Sequence, residues 1–219
     1  SEGYGYKNDG PGIYGPGTPV LPVKGDRTDY KNGYLEGVTD KVIITAGENI
    51  KQTFRTFFYR ACRYLRLEIE TKEEPLCLEK LILTETGYPL DVKASVKTSD
   101  PDMEKIWEMS LRTLRCCMHD TYIDCPFYER KQYILDARLE ALYTYAISGD
   151  NRLGRQALEM FAAGQRADGL LYCCYPSVEP NVIPDFSLYY ILMLHDYMMY
   201  FGEKEFLSQM FPHILKIFS

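Results

Sequence analysis

Two hydrophobic periods divide the chain. Before about residue 98, apolar side chains come in short bursts between turn-rich stretches such as Ala46-Gly47-Glu48-Asn49. Within one burst, Arg63-Tyr64-Leu65-Arg66-Leu67-Glu68-Ile69-Glu70, polar and apolar residues alternate with period two, as on a half-solvated antiparallel strand. The pattern predicts strands over 41–45, 51–59, 64–71 and 78–84. The expected fold of residues 1–98 is a β-sandwich domain of jelly-roll type, with residues 1–40 too loop-like to be paired. From Ser99 the period lengthens. Ser99-Asp100-Pro101-Asp102 is a helix start, with Pro in the first turn and acids around it. Ile106, Trp107, Met109, Leu111 and Leu114 then follow at helical spacing to about residue 118, with Trp107 read as core. Further helices are predicted over 127–148, ending at Gly149, and over 151–165, 186–201 and 203–218. Five helices with short connections imply antiparallel hairpins, so residues 99–219 are expected to be an all-α segment.

Composition narrows the function. The formal net charge of −6 argues against nucleic acid, whose phosphates need a basic face. No apolar run reaches the roughly 18 residues of a membrane span. Seven cysteines, an odd number with two adjacent pairs, do not form a secreted disulfide framework. Cys117, His119, Cys173 and Cys174 lack the Cys-x-x-Cys spacing of a zinc site, so buried free thiols are the better reading and neither metal nor cofactor is expected. The start, Ser1-Glu2-Gly3-Tyr4, reads as the interior of a longer protein, and the end falls inside an apolar helix with Ile214, Leu215, Ile217 and Phe218. The chain is therefore expected to be part of a larger, cytoplasmic protein, with secretion and oligomeric state left open.

The densest chemistry lies at Asp124-Cys125-Pro126-Phe127-Tyr128-Glu129-Arg130-Lys131-Gln132-Tyr133-Ile134-Leu135-Asp136. Pro126 suits the first position of a helix. That reading leaves Asp124 outside the helix and Glu129 in its first turn, with Asp136 two turns on and on the same face. Acids converging on one rim suit a polar ligand such as a sugar. Each has a plainer reading: Asp124 as a cap, Glu129 as a dipole-complementing surface acid, Asp136 as a partner of Arg130 or Lys131. Tyr133 and Tyr122 offer flat faces for sugar stacking, although a Tyr-rich helical domain uses most such rings for packing. His119 and Asp120 lie close enough to support the motif, and Asp185 is a candidate for the cleft rim.

This motif resembles the signature of the bacterial α-L-rhamnosidases of glycoside hydrolase family 78, Asp-Cys-Pro-x-Arg-Glu-Arg-x-Gly-Trp-x-Gly-Asp. It matches at Asp124, Cys125, Pro126, Glu129, Arg130 and Asp136, with the same intervals between the acids. The stretch 58–64 resembles the family's last β-sandwich strand before its barrel. Thr98-Ser99-Asp100-Pro101 and Pro184-Asp185-Phe186-Ser187-Leu188 resemble entries to helices of its (α/α)6 barrel. The resemblance covers about residues 50–219 and implies the first part of such a barrel. It implies Glu129 as general acid, Asp124 and Asp136 as holders of rhamnose hydroxyls, and a base further along the chain than Ser219. Tyr128 stands where the family has Arg, Gln132-Tyr133 where it has Gly-Trp, and Leu135 where it has Gly. Losing the Arg removes a bidentate sugar contact, while Tyr133 keeps an aromatic face.

An inverting glycosidase needs its acid and base about 6.5–9.5 Å apart, and a retaining one needs about 5–5.5 Å. On one helix, Glu129 and Asp136 would have backbones about 10 Å apart, too far for a retaining pair. A helix N-terminus would favour the Glu129 carboxylate, and neighbouring acids its protonated form. The expected function is thus an inverting glycosidase acting on α-L-rhamnosyl or related residues, with carbohydrate as partner and the isolated chain inactive. The alternative is a non-catalytic carbohydrate-binding or scaffold protein of the same fold. A third reading, a barrel enzyme acting on uronic acid polymers, is disfavoured by the acidic cleft.

Overall fold

A computed structural model describes residues 4–7 and 33–36 as backbone, together with residues 26, 28, 29, 31, 38–45, 51–62, 64–73 and 75–219. The chain divides into two compact units, Ser1–Thr84 and Glu85–Ser219.

In the first unit, β1 (Tyr4–Lys7) and β2 (Gly33–Glu36) form a two-stranded antiparallel ribbon, with Tyr4 opposite Glu36 and Lys7 opposite Gly33. This ribbon lies in the stretch that reads as loop. The four predicted strands do not form ladders among the described residues, and the expected β-sandwich is overturned. Alternation sets a backbone preference, but a sheet needs partner strands and a second layer to bury one face. Here the bursts stay in water: Ile43 is 86% exposed, Leu83 75% and Phe57 fully. Polar links such as Arg60–Asp40 at 2.6 Å and Lys51–Glu79 at 3.1 Å join parts of the unit, and exposed pairs of this kind contribute little.

The second unit holds five helices: α1 (Asp102–Cys116), α2 (Ile134–Ser148), α3 (Arg152–Ala163), α4 (Pro184–Phe201) and α5 (Lys204–Ile217). α1 begins at Asp102 because the Asp100 carboxylate accepts the Asp102 N–H at 2.9 Å, and Thr98 Oγ1 accepts that of Asp100 at 3.0 Å. Asp102 and Glu104 in its first turn and Arg115 in its last complement the helix dipole. Contrary to expectation Trp107 is only half-buried and lies outside the core, and Ile106 and Met109 on the same helix are exposed.

The core is built where α2, α3 and α4 pack on one another and α5 closes on α3 and α4. Ile134, Ala137 and Ala141 of α2, Ala157, Leu158 and Phe161 of α3, and Tyr190, Met193 and Leu194 of α4 are all essentially inaccessible. Small residues on α2 let the neighbouring helices approach closely, and full burial of each large side chain contributes about 1.5–3 kcal/mol. One ion pair, Arg138 Nε to Asp196 Oδ2 at 2.7 Å, braces α2 to α4 in a largely dry setting. At the α2–α3 turn, Gly149 takes φ +72°, which ends α2. Asn151 Nδ2 then donates to Tyr197 Oη at 3.1 Å and Glu203 Oε1 at 3.0 Å, tying this turn to α4 and the start of α5. No described helix is long and apolar enough to cross a membrane.

α2 starts seven residues later than predicted, and this correction shapes the site. Arg130 adopts φ +56°, a left-handed conformation rare outside glycine, and Tyr133 is extended at ψ 143°. Helical bonding begins only with the Ala137 N–H to Tyr133 O bond at 2.9 Å. Residues 124–133 are thus a loop, so Glu129 and Asp136 do not share a helix face.

Candidate active site

The loop is closed at its neck by Asp124 and Lys131. The Asp124 N–H donates to Lys131 O at 3.0 Å, and the Lys131 N–H donates back to Asp124 Oδ1 at 2.8 Å. Asp124 thus spends one carboxylate oxygen on the fold, close to its plainer reading as a local cap. Within the loop, the Glu129 N–H reaches Cys125 Sγ at 3.4 Å and Arg130 Nε donates to Phe127 O at 3.2 Å. The Lys131 ammonium pairs with Glu179, which holds the Lys131 charge above its ordinary range.

A second segment, 173–175, docks against the far end of the loop. The Ile134 N–H donates to Cys173 O at 2.9 Å, and Tyr133 bridges antiparallel to Cys174. The Tyr175 N–H donates to Gln132 O at 3.2 Å, and Gln132 Nε2 returns a bond to Tyr175 O at 2.9 Å. Gln132 is buried, with its Oε1 lacking a partner among the described residues.

On this frame stand the acids. Glu129 is exposed, and its Oε2 accepts the Tyr133 hydroxyl at 2.5 Å. Asp136, in the first turn of α2, is half-buried. Burial pushes its carboxyl above the usual range, its own backbone N–H opposes this, and the charges of Asp124 and Glu129 push it further up. Asp124 and Glu129 therefore act electrostatically on Asp136 although the acids do not share a helix face.

One turn beyond Asp136 lies Glu140, which the sequence reading passed over. Its carboxyl is pushed up to about 9, first by burial and then by the charges of Asp136 and Asp124. Its Oε2 is buried with no hydrogen-bond partner among the described residues. Glu140 therefore carries its proton at neutral pH. The i, i+4 spacing from Asp136 was the available signal.

The aromatic candidates part ways. Tyr122 is fully buried in the core cluster, so its ring packs against protein and is not presented to a ligand. Tyr133 stays accessible in part, its ring set edge-on to Phe186 of α4 at 6.4 Å between centroids. Asp185 is exposed beside Phe186, in the first turn of α4. His119 sits partly buried with Nε2 3.3 Å from Cys116 O, and burial lowers its basicity. Asp120 O accepts Gln156 Nε2 at 2.6 Å, a contact that ties its loop to α3. Among the described residues no group of three or more His, Cys, Asp or Glu could hold a metal ion. Exposed carboxyls, a phenol and a half-buried acid make a surface suited to hydroxyl-rich ligands and to proton transfer.

The carboxylates thus lie on the loop that leads into α2 and in the first turns of that helix, within a set of packed helical hairpins. Residues 91–219 match the model described as the bacterial alpha-L-rhamnosidase 6 hairpin glycosidase domain, and the chain belongs to that family. Among solved structures it is similar to the family 78 rhamnosidase of Bacillus sp. GL1, at 30% identity and a TM-score of 0.58. That match covers 60% of this chain and 14% of the Bacillus one. It is also similar to a rhamnosidase from Klebsiella oxytoca with rhamnose bound, at 26% identity and a TM-score of 0.53, over 58% of this chain and 26% of that one. The chain thus spans a minor part of the length of each enzyme it resembles. No curated protein matches it.

Proposed function

We propose that the protein is a glycosidase that releases terminal α-L-rhamnosyl or closely related residues with inversion, using Glu129 as general acid. The observation that carries this reading is the meeting of a family-matched domain with an exposed Glu129 whose charge, with that of Asp124, acts on Asp136. Glu129 stands on the loop tip, where it can reach a glycosidic oxygen. The free oxygen of Asp124 and the Asp136 carboxyl receive sugar hydroxyls, and Tyr133 lies beside them. Glu140 keeps its proton to about pH 9 and so does not serve as the base at neutral pH. We assign the base to a carboxylate outside residues 124–140, across the sugar from Glu129. The Tyr128 side chain, exposed where the resembled signature has Arg, favours a sugar contact without charge.

The test uses the complete gene product with aryl α-L-rhamnosides and with matched aryl hexopyranosides. We expect hydrolysis of the rhamnosides with inverted product by NMR, and a loss of about 10²–10⁴-fold in kcat for Glu129→Gln. A fully active Glu129→Gln protein removes Glu129 from the role of acid. A protein that binds rhamnosides without turnover supports the carbohydrate-binding alternative.

A further inference from the structure

Of Asp124, Glu129 and Asp136, only Glu129 stands out in solvent, on a loop whose neighbouring residue, Arg130, has a left-handed backbone. Its side chain is nonetheless held. The Tyr133 hydroxyl donates to Glu129 Oε2 at 2.5 Å, at the short end of O–H···O hydrogen bonds. Among the described residues no other side chain bonds this carboxyl.

The donor stands on a rigid base. The Tyr133 N–H donates to Lys131 O at 3.1 Å, its carbonyl starts α2 by accepting the Ala137 N–H at 2.9 Å, and its backbone bridges to Cys174. Its ring rests edge-on against Phe186. A fixed phenol therefore reaches out to an acid on an exposed loop, and the geometry is that of an orienting contact.

We propose that Tyr133 is a positioning residue, whose hydroxyl occupies Glu129 Oε2 and so leaves Oε1 to carry the proton to the leaving oxygen. This inference rests on the general-acid role given to Glu129 above. It replaces the stacking role that the ring alone suggests, since the phenol oxygen points to a carboxyl. Tyr133 itself gives up no proton: the bond to Glu129, then burial, hold its hydroxyl far above the ordinary phenol range.

A general acid matters in proportion to how poor the leaving group is, because a good leaving group departs without protonation. We would compare kcat/KM for an alkyl and for a 2,4-dinitrophenyl α-L-rhamnoside in the complete protein, for Tyr133→Phe, Tyr133→Trp and Glu129→Gln. Phe keeps the ring and Trp keeps a larger flat face, so both retain stacking and lose the phenol. We expect both Tyr133 variants to lose about tenfold or more on the alkyl glycoside, as for a hydrogen bond to a charged group. They should lose less than about threefold on the dinitrophenyl one, and Glu129→Gln should show the same split more strongly. Equal losses on both substrates, or none, in the Tyr133 variants overturn the positioning role. If Glu129→Gln keeps its split in that case, the acid assignment stands. No split in Glu129→Gln overturns both. An unfolding midpoint for Tyr133→Phe equal to that of the parent separates the kinetic effect from damage to the fold.

Discussion

Replacing Glu140 by Gln should make the protein more stable as the pH rises. In water a Glu carboxyl loses its proton near pH 4.5, whereas in the fold Glu140 holds it to about pH 9. Between those values the unfolded chain has released a proton that the folded chain retains. Stability therefore falls with rising pH, and the contribution is whole only below about pH 4.5. Each pH unit in that window is worth about 1.4 kcal/mol. The folded state is thus weakened by roughly 3 kcal/mol at pH 7 and roughly 6 kcal/mol by pH 9. Gln has the same shape and cannot ionise. Its amide N–H groups inherit the dry position of Oε2, which has no partner among the described residues. At pH 4 the variant should therefore be less stable than the parent by about 1–2 kcal/mol. Urea unfolding followed by far-UV circular dichroism at pH 4, 5, 6, 7, 8 and 9 gives the difference curve directly. We expect the curves of parent and variant to cross near pH 5–6 and the gap to widen to pH 9. Asp136 titrates in the same direction in both proteins, so its share largely cancels in the difference. A gap that stays constant from pH 5 to pH 9 would show that Glu140 is hydrated and would refute the reasoning.

Two further outcomes test the frame. Arg138 and Asp196 form the α2–α4 brace with little solvent around either group, so Asp196→Ala should cost about 3–5 kcal/mol in urea unfolding. The double change Arg138→Met with Asp196→Leu should cost much less, because no charge is left alone. Asp124→Asn keeps an acceptor for the Lys131 N–H, whereas Asp124→Ala removes it. Limited proteolysis should therefore cut the Ala variant faster within residues 125–131 while sparing the Asn variant.

The helices were readable in the chain because apolar residues recur at the helical period in α1, α3 and α5, and because Gly149 and the Asp100-Pro101 start mark ends. The sandwich was misread for a physical reason. Leu65, Leu67 and Ile69 alternate as strand residues do, yet all three are exposed, since alternation states a preference and cannot supply a neighbour. The start of α2 was misplaced because Pro126 and two acids imitate a helix entry, whereas the left-handed turn at Arg130 has no glycine to announce it. The three acids were legible from spacing and motif, but their arrangement was not. The Tyr133–Glu129 bond exists only because the loop folds back, and Tyr122 is indistinguishable from a stacking ring until its burial is known.

The bond pair between Asp124 and Lys131 makes the loop a cassette with a fixed mouth. Six residues, 125–130, hang between two ends whose separation is set by the backbone and one carboxylate. With Glu129 kept, the other five can be exchanged while Asp124 and Lys131 hold the ends, so substrate preference can drift there apart from the framework. A library randomised at Phe127, Tyr128 and Arg130, with Asp124, Lys131 and Tyr133 held constant, would sample new sugars on an unchanged anchor. The same economy has a blind spot. A binding group that also fastens its own loop will look indispensable in any alanine scan, whether or not it ever touches a ligand.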